Sequence, residues 1–241
     1  MKNNVYRKHD SFYANEISNS PKQSFLSVLN LIIENTRNSN GEVQILDIGC
    51  ATGEFPAFLI DRLDKRFIVS GMEFLDSLIS VANQKYPRIN IFQGSIEDLN
   101  CIEEQSYDII TVLGVISIFD ELDEIISNLM HWIKPNGRVF LHGMFNPDPI
   151  DVLVKYRESA FLDTDEKFEN GWNIISQESF SKIAIKKGAK NVIYHDFELS
   201  IDLHKQNDAV RSWTEVLESG KRQIVNGICL KQPQFIAEII C

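Results

Sequence analysis

Asp47 stands two residues before Gly49, and Gly53 closes the same turn in the stretch ILDIGCATG, residues 45–53. An acid beside a backbone stripped of side chains admits two readings. The glycines can simply relieve a strand-to-helix turn while Asp47 caps the helix that follows. Alternatively the bare main chain lies against a ligand, and the acid reaches one of its polar groups. Glu73 supplies a second carboxylate at the end of the next apolar run, where an acid can accept hydrogen bonds from both hydroxyls of a ribose. The turn is not G-x-G-x-x-G, and a carboxylate ahead of its first glycine would repel a pyrophosphate but suit a ligand with a cationic amino group. His142 is the third reactive group. It falls near the carboxyl end of a predicted strand, where an open α/β sheet presents residues to its ligand crevice, and a near-neutral imidazole there can take the proton of an alcohol nucleophile. A strand histidine hydrogen-bonded within the fold is the alternative.

These groups are useful only if a frame brings several strand ends together. Ser20-Pro21 is a helix start, with Phe25, Val28, Leu29 and Ile32 at helical spacing behind it. VQILDIG then reads as a central parallel strand, because its apolar run is nearly continuous. A helix through EFPAFLIDRL, a strand RFIVSGMEF, a helix from Asp76 ended by Pro87, and a short strand INIFQG follow. The alternation continues with the strand YDIITVLGV, the helix DELDEIISNLMHWIK, a PNG turn and the strand RVFLHGMF. It closes with the helix SQESFSKIAIKKG and the strands NVIYHDFELSI and QFIAEII. Seven strands with intervening helices predict an α/β, doubly wound, mostly parallel sheet, since parallel neighbours need crossover connections.

The expected organisation is a single domain over residues 1–241, with an N-terminal helical cap (1–40) and a cofactor-binding half (43–145). Two stretches break the rhythm and are candidate substrate lids. Residues 146–175 predict a short helix with Ile150, Leu153, Val154 and Arg157 along one side, and residues 203–232 predict another with Val210, Trp213, Val216 and Leu217 ending at Gly220. Surface elaboration with small satellite cores is the competing reading.

Composition narrows the partners. The 241 residues are 44% hydrophobic and 24% charged, with a formal net charge of −10, which argues against binding nucleic acid, since phosphate recognition needs clustered cations. The N-terminal residues lack the apolar core of a signal peptide, and no apolar run approaches the roughly 20 residues that span a bilayer. The expectation is a cytoplasmic protein. Cys50, Cys101, Cys229 and Cys241 are scattered without CxxC or His/Cys metal spacing, so neither a disulfide framework nor a metal is predicted.

LDIGCATGEF resembles the first motif of the class I S-adenosylmethionine-dependent methyltransferases, and residues 43–145 resemble that family closely, the final strands loosely. The resemblance implies a Rossmann-like methyltransferase fold and S-adenosylmethionine as cofactor, with S-adenosylhomocysteine as its product. It implies that Asp47 lies near the methionine portion and that the backbone of Gly49, Cys50, Ala51 and Gly53 packs against the cofactor. Glu73 matches the family's ribose-binding acid, with Phe74 next to it. GSIEDL sits where the family commonly has G-D-A/I-x-D/E-L, implying adenine contacts from Ser95 and the backbone of Ile96. YDIITVLGVISIF resembles the family's fourth strand and brings Leu113 to the cofactor. Two departures stand out: Ser95 replaces the usual aspartate, and Ala51 replaces a glycine often found in the turn.

The acceptor is less constrained. FNPDPI superficially resembles the N-P-P-Y/F motif of nucleic-acid amino-methyltransferases, but it follows the fifth strand and not the fourth. The expectation is a metal-independent enzyme methylating a small hydroxylated metabolite, with oxygen as acceptor, a sugar or sugar-nucleotide precursor being one candidate. His142 is the candidate base. Tyr13, beside His9, could close over the site from the N-terminal segment, and Arg222 and Asn226 could recognise a polar substrate, although Asn226-Gly227 can equally make a hairpin turn. A nicotinamide-dependent oxidoreductase and a non-catalytic cofactor-binding regulator are the alternatives.

Overall fold

Strand β1 (Val43–Ile48) is the axis of the molecule. Its apolar side chains are buried on both faces, and it pairs in parallel with β2 (Phe67–Glu73) on one side and β4 (Tyr107–Leu113) on the other. In the computed structural model, which describes residues 21–159, 162, 168–208 and 210–241, the sheet runs outward from this centre in both directions. β3 (Asn90–Gln93) flanks β2, and β5 (Ile133–Asn146) flanks β4. The chain thus reverses its direction of winding between β1 and β4, the place where an open α/β sheet leaves a crevice beyond its strand ends. Beyond β5 the last strand, β12 (Gln234–Ile240), inserts antiparallel, with β9 (Asn191–Asp196) antiparallel to it at the edge. All seven strands expected from the sequence are present in this sheet.

Side-chain alternation assigns each strand residue to a face. Ile45, Val69, Ile109 and Phe140 meet α1 (Gln23–Thr36) and α2 (Glu54–Ile60) through Phe25, Val28, Ile32, Phe55 and Leu59. Leu46, Ile48, Ile110, Val112 and Leu141 face the other way. They bury α4 (Asp123–Trp132) and α5 (Gln177–Lys186) through Ile126, Leu129, Trp132 and Phe180. α3 (Asp76–Lys85) covers β2 and β3. α5 begins where expected, because Ser176 accepts a hydrogen bond from the Ser179 N–H as its cap, and it stops at Gly188 with φ +106. α1 begins at Gln23 after Lys22; Ser20 lies outside the described residues.

Both predicted lid helices are corrected. Val210, Trp213, Val216 and Leu217 do not form a helical stripe: β10 (Trp213–Val216) and β11 (Arg222–Val225) pair as an antiparallel hairpin, and Gly220, with φ +78, sits in its connection. Thr214, Val216, Ile224 and Val225 are β-branched and suit extended pairing. In residues 146–175, Ile150 and Leu153 remain exposed and only Val154 turns inward, so no helical face is buried. The described residues of this stretch pair as short extended pieces instead. Val152 bridges Ile174, β6 (Lys155–Tyr156) pairs with β7 (Glu169–Asn170), and β8 (Ile175–Ser176) pairs with the end of β5. Buried Asn173 pins this segment to the loop after β4: its amide nitrogen donates to Phe119 O at 2.9 Å and its carbonyl oxygen accepts from the Val154 N–H at 2.8 Å. The expected PNG turn falls inside β5, with Asn136 at φ +66 and a register shift against β4. No helix of the described residues is long and apolar enough to cross a membrane.

Candidate functional site

Asp47 occupies the penultimate position of β1, directly opposite Thr111 of β4 in the parallel register. It is 3% exposed, and its Oδ1 accepts from the Thr111 hydroxyl at 2.7 Å. Burial pushes its carboxyl up to about 7, with the nearby charge of Glu73 adding to the rise and the Thr111 hydrogen bond opposing it. An acid poised near neutrality has a strong incentive to meet a cation, because ionising it alone in this environment is unfavourable.

The turn after β1 is held by its backbone. The N–H groups of Gly49 and Cys50 both donate to Met72 O, at 2.8 and 3.2 Å, which fastens the turn to β2. Gly49 has φ +70, and a Cβ added there would lie 2.4 Å from Val115 Cγ2. Ala51 takes a left-handed conformation too, at φ +48, a mild strain for a residue with a Cβ. Cys50 turns inward against Ala82 and Ile91, and burial pushes its thiol pKa up, so only its main chain is available to a ligand. Gly53, at φ +78, immediately precedes α2; a Cβ there would meet Ile91 at 2.7 Å.

Glu73 ends β2 with its carboxylate fixed by three N–H groups: Ala51 at 2.9 Å on one oxygen, Phe74 at 2.8 Å and Leu75 at 3.0 Å on the other. A carboxylate oxygen has more than one lone-pair site, so this clamp orients the acid without exhausting it. The Phe74 ring beside it is 65% exposed, a large apolar face unused by the core. Ser95 is partly committed, since its hydroxyl accepts from the Glu97 N–H at 3.2 Å. Ile96 is buried and its carbonyl accepts from Asn128, whereas its N–H makes no hydrogen bond among the described residues. Leu113 ends β4 opposite His142 of β5. Together these residues fit a nucleoside that carries an amino-acid tail: an acid for an ammonium, an acid for a ribose, an exposed ring and a spare N–H for a base.

A cavity of about 510 Å³ opens next to this crevice, past Gly114. Its wall includes His142, Met144, Trp172, Arg211, Gln232 and Gln234. The corrected segments build much of it, Trp172 coming from the stretch after β7 and Arg211 from the approach to β10. His142 is where the sequence places it, but burial pulls its pKa down to about 4 while hydrogen bonding with the Gln234 side chain pulls the other way. Its Nε2 is buried and has no hydrogen-bond partner among the described residues, and its ring meets Phe197 edge-on at 4.6 Å.

The predicted substrate residues fare differently. Tyr13 and His9 lie outside the described residues. Arg222 does not line the cavity; its Nε is paired with Asp202 at 2.8 Å, and Asp202 does line it. Asn226 is buried, its side chain donating to Val210 O at 3.2 Å and accepting from the Ile228 N–H at 3.1 Å, which ties the end of the hairpin to the chain before it. It begins a turn closed by the Cys229 N–H onto Asn226 O, after the hairpin and not at its tip. Thr111, Arg211 and Gln234 were missed. Thr111 was findable from the pairing of polar residues at equivalent positions of two apolar strands; the other two carry no local sequence signal.

Residues 45–137 match a family described as a methyltransferase domain. Among curated proteins, the chain is 26% identical to the malonyl-[acyl-carrier protein] O-methyltransferase of Bacillus anthracis over 86% of this chain and 71% of that enzyme. It is 30% identical to the enzyme of the same name from Halalkalibacterium halodurans over 50% of this chain, but only 46% of that enzyme. The chain thus spans about half the length of some relatives it matches. Among solved structures, the CurJ carbon methyltransferase superposes with a TM-score of 0.58 at 14% identity, over 90% of this chain and 53% of that one. That likeness is one of fold, and the differing acceptor atoms in these names show that fold does not select the acceptor.

Proposed function

We propose that the chain, whose residues 45–137 match a methyltransferase domain, is a class I S-adenosylmethionine-dependent methyltransferase that transfers a methyl group from S-adenosylmethionine to an oxygen of a small molecule. The observation that carries this reading is the convergence of Asp47, the Gly49–Gly53 turn and Glu73 at neighbouring strand ends, within the matched domain. The relatives' naming as O-methyltransferases supports oxygen as the acceptor atom.

In this reading Asp47 holds the donor's ammonium, Glu73 the ribose hydroxyls, and Phe74 with the Ile96 N–H the adenine. Ser95 contributes a hydroxyl in place of a carboxylate, and the main chain of Gly49, Cys50, Ala51 and Gly53, with Leu113, shapes the walls. When bound, the donor supplies an electrophilic methyl on a sulfonium. The protein's work is then to align the acceptor and keep water out, and the cavity beside Gly114 is the space in which it can do so. A hydroxyl acceptor, as the sequence led us to expect, would require a base as well. No observation supports a sugar over other small molecules, and the nicotinamide reading finds no supporting feature.

Calorimetric titration with S-adenosylhomocysteine should show one site per chain, and labelled donor should pass its methyl to an oxygen of a small acceptor. Tight NAD binding without a response to S-adenosylhomocysteine would overturn the reading. Phe74→Ala should weaken S-adenosylhomocysteine binding about tenfold, since stacking of a base on an aromatic ring contributes about 1–3 kcal/mol. Thermal stability should stay unchanged, because the ring is exposed. Equal affinity in calorimetry would remove Phe74 from the site.

A further inference from the structure

The loop after β3 has one main-chain donor left over. Gly94 donates its N–H to Glu73 O at 3.0 Å, which sets the loop beside the ribose acid. From there the donors are taken in turn: Ser95 N–H by the Cys101 thiol at 3.4 Å, Glu97 N–H by the Ser95 hydroxyl at 3.2 Å, and Asp98 N–H by Ser95 O at 3.0 Å. The Ile96 N–H has no acceptor among the described residues, although Ile96 is 5% exposed and its side chain sits in the larger core. Buried main-chain donors are seldom left unpaired, so this one calls for a ligand.

Both peptide units that meet at Ile96 are pinned by side chains. The unit before it carries Ser95 O, which accepts from the Cys101 thiol at 3.4 Å as well as from the Asp98 N–H. A peptide unit is planar and trans, so holding that oxygen on one side sends the Ile96 N–H out of the other. The unit after it carries Ile96 O, which accepts from Asn128 Nδ2 at 2.9 Å. Asn128 is 4% exposed, a polar side chain buried on α4. Desolvating an amide there is unfavourable unless it is bonded, and the bond to Ile96 O offsets that cost. Trp132, one turn further along α4, donates to Leu99 O at 3.0 Å and fastens the same loop a second time.

We infer that Cys101 and Asn128 are positioning residues for the donor's nucleobase: between them they aim the Ile96 N–H at a lone-pair nitrogen of the adenine rings. This rests on the methyltransferase reading above and adds the residues that direct its adenine contact. Neither side chain touches the base, since each bonds to main-chain atoms of the loop and acts through them. The thiol can serve in both of its bonds at once, because it has one hydrogen to donate and sulfur lone pairs to accept with. Recognition of the base therefore depends on two side chains that stand behind the loop, one within it and one on the helix that covers it.

The test is calorimetric, with the full chain and S-adenosylhomocysteine beside its deaza analogues, each of which has one lone-pair nitrogen of the adenine rings replaced by C–H. In the wild type one analogue should bind about tenfold more weakly than the parent, because it leaves a buried donor unpaired. Asn128→Leu, nearly isosteric but without a donor, and Cys101→Ala should each weaken binding of the parent and shrink that penalty to about threefold or less. Cys101→Ser should keep most of the penalty, since a hydroxyl also donates and accepts. A merely structural loss would weaken every ligand alike and leave the ratio intact. Thermal melts identify the folded variants, and Cys101→Ala carries the test alone if Asn128→Leu does not fold. An unchanged ratio in the folded variants, or a wild type that binds every analogue as tightly as the parent, would overturn the inference while sparing the methyltransferase reading. Failure to bind S-adenosylhomocysteine at all would overturn both.

Discussion

Asp47→Asn is expected to stabilise the ligand-free protein at pH 8 and to destroy its affinity for S-adenosylhomocysteine. The two effects share one cause. The carboxyl is buried and its pKa is raised from 3.8 to about 7, so the folded state holds a proton that the unfolded chain releases at lower pH. A raised carboxyl contributes stability that is fully present below the unfolded value and is lost as pH rises through the folded one. Here the loss runs from about pH 4 to pH 7 and amounts to something on the order of 4 kcal/mol. Asparagine is nearly isosteric, can still accept from the Thr111 hydroxyl, and never ionises. Its melting temperature should exceed that of the wild type at pH 8, and the gap should close towards pH 4. The ligand's ammonium reverses the sign, because it selects the ionised acid. Wild-type affinity should fall about tenfold per pH unit below 7, where a proton must first be expelled, while the variant binds at least 10²-fold more weakly at pH 8. Calorimetry and thermal melts over pH 5–8 would decide. Undiminished binding in Asp47→Asn, or a melting difference that ignores pH, would remove Asp47 from its role.

How far this site could be read from sequence depends on the range of its contacts. Asp47, Gly49 and Gly53 lie within one turn, and the apolar run before them marks a doubly covered strand, so both the crevice and its acid were legible. Glu73 was legible as a strand-ending acid, but its clamp to Ala51, Phe74 and Leu75 was not, because the Ala51 N–H arrives from another element. The hairpin of β10 and β11 was misread for the same reason. Val210, Trp213, Val216 and Leu217 satisfy helical spacing locally, whereas the observed pairing matches Trp213 with Val225 and Thr214 with Ile224. That choice rests on partners across the hairpin, and spacing within the first half alone cannot make it. Arg222 and Arg211 show the consequence for the site. They look alike in sequence, yet the hairpin carries Arg222 out to Asp202 while Arg211 stays in the cavity wall.

Gly49→Ala should damage fold and cofactor site together, and the damage should be divisible. The backbone at this position has φ +70, which costs an L-residue roughly 1–2 kcal/mol. The added methyl would also lie 2.4 Å from Val115 Cγ2. Val115 is partly buried against the larger core and precedes the 3-10 turn Ile116–Ile118, so its side chain must shift to admit the methyl; overpacking of this kind costs about 1–3 kcal/mol. The expected total is about 2–5 kcal/mol in denaturant unfolding, with S-adenosylhomocysteine affinity lowered about 10²-fold or more because the turn and the β4 end border the same crevice. Val115→Ala removes the colliding methyl, so Gly49→Ala in that background should cost only the conformational share. A double-mutant cycle should therefore show a favourable coupling of at least 1 kcal/mol between the two substitutions. Simple additivity would mean that the turn and the end of β4 do not touch as described, and the crevice would have to be built some other way.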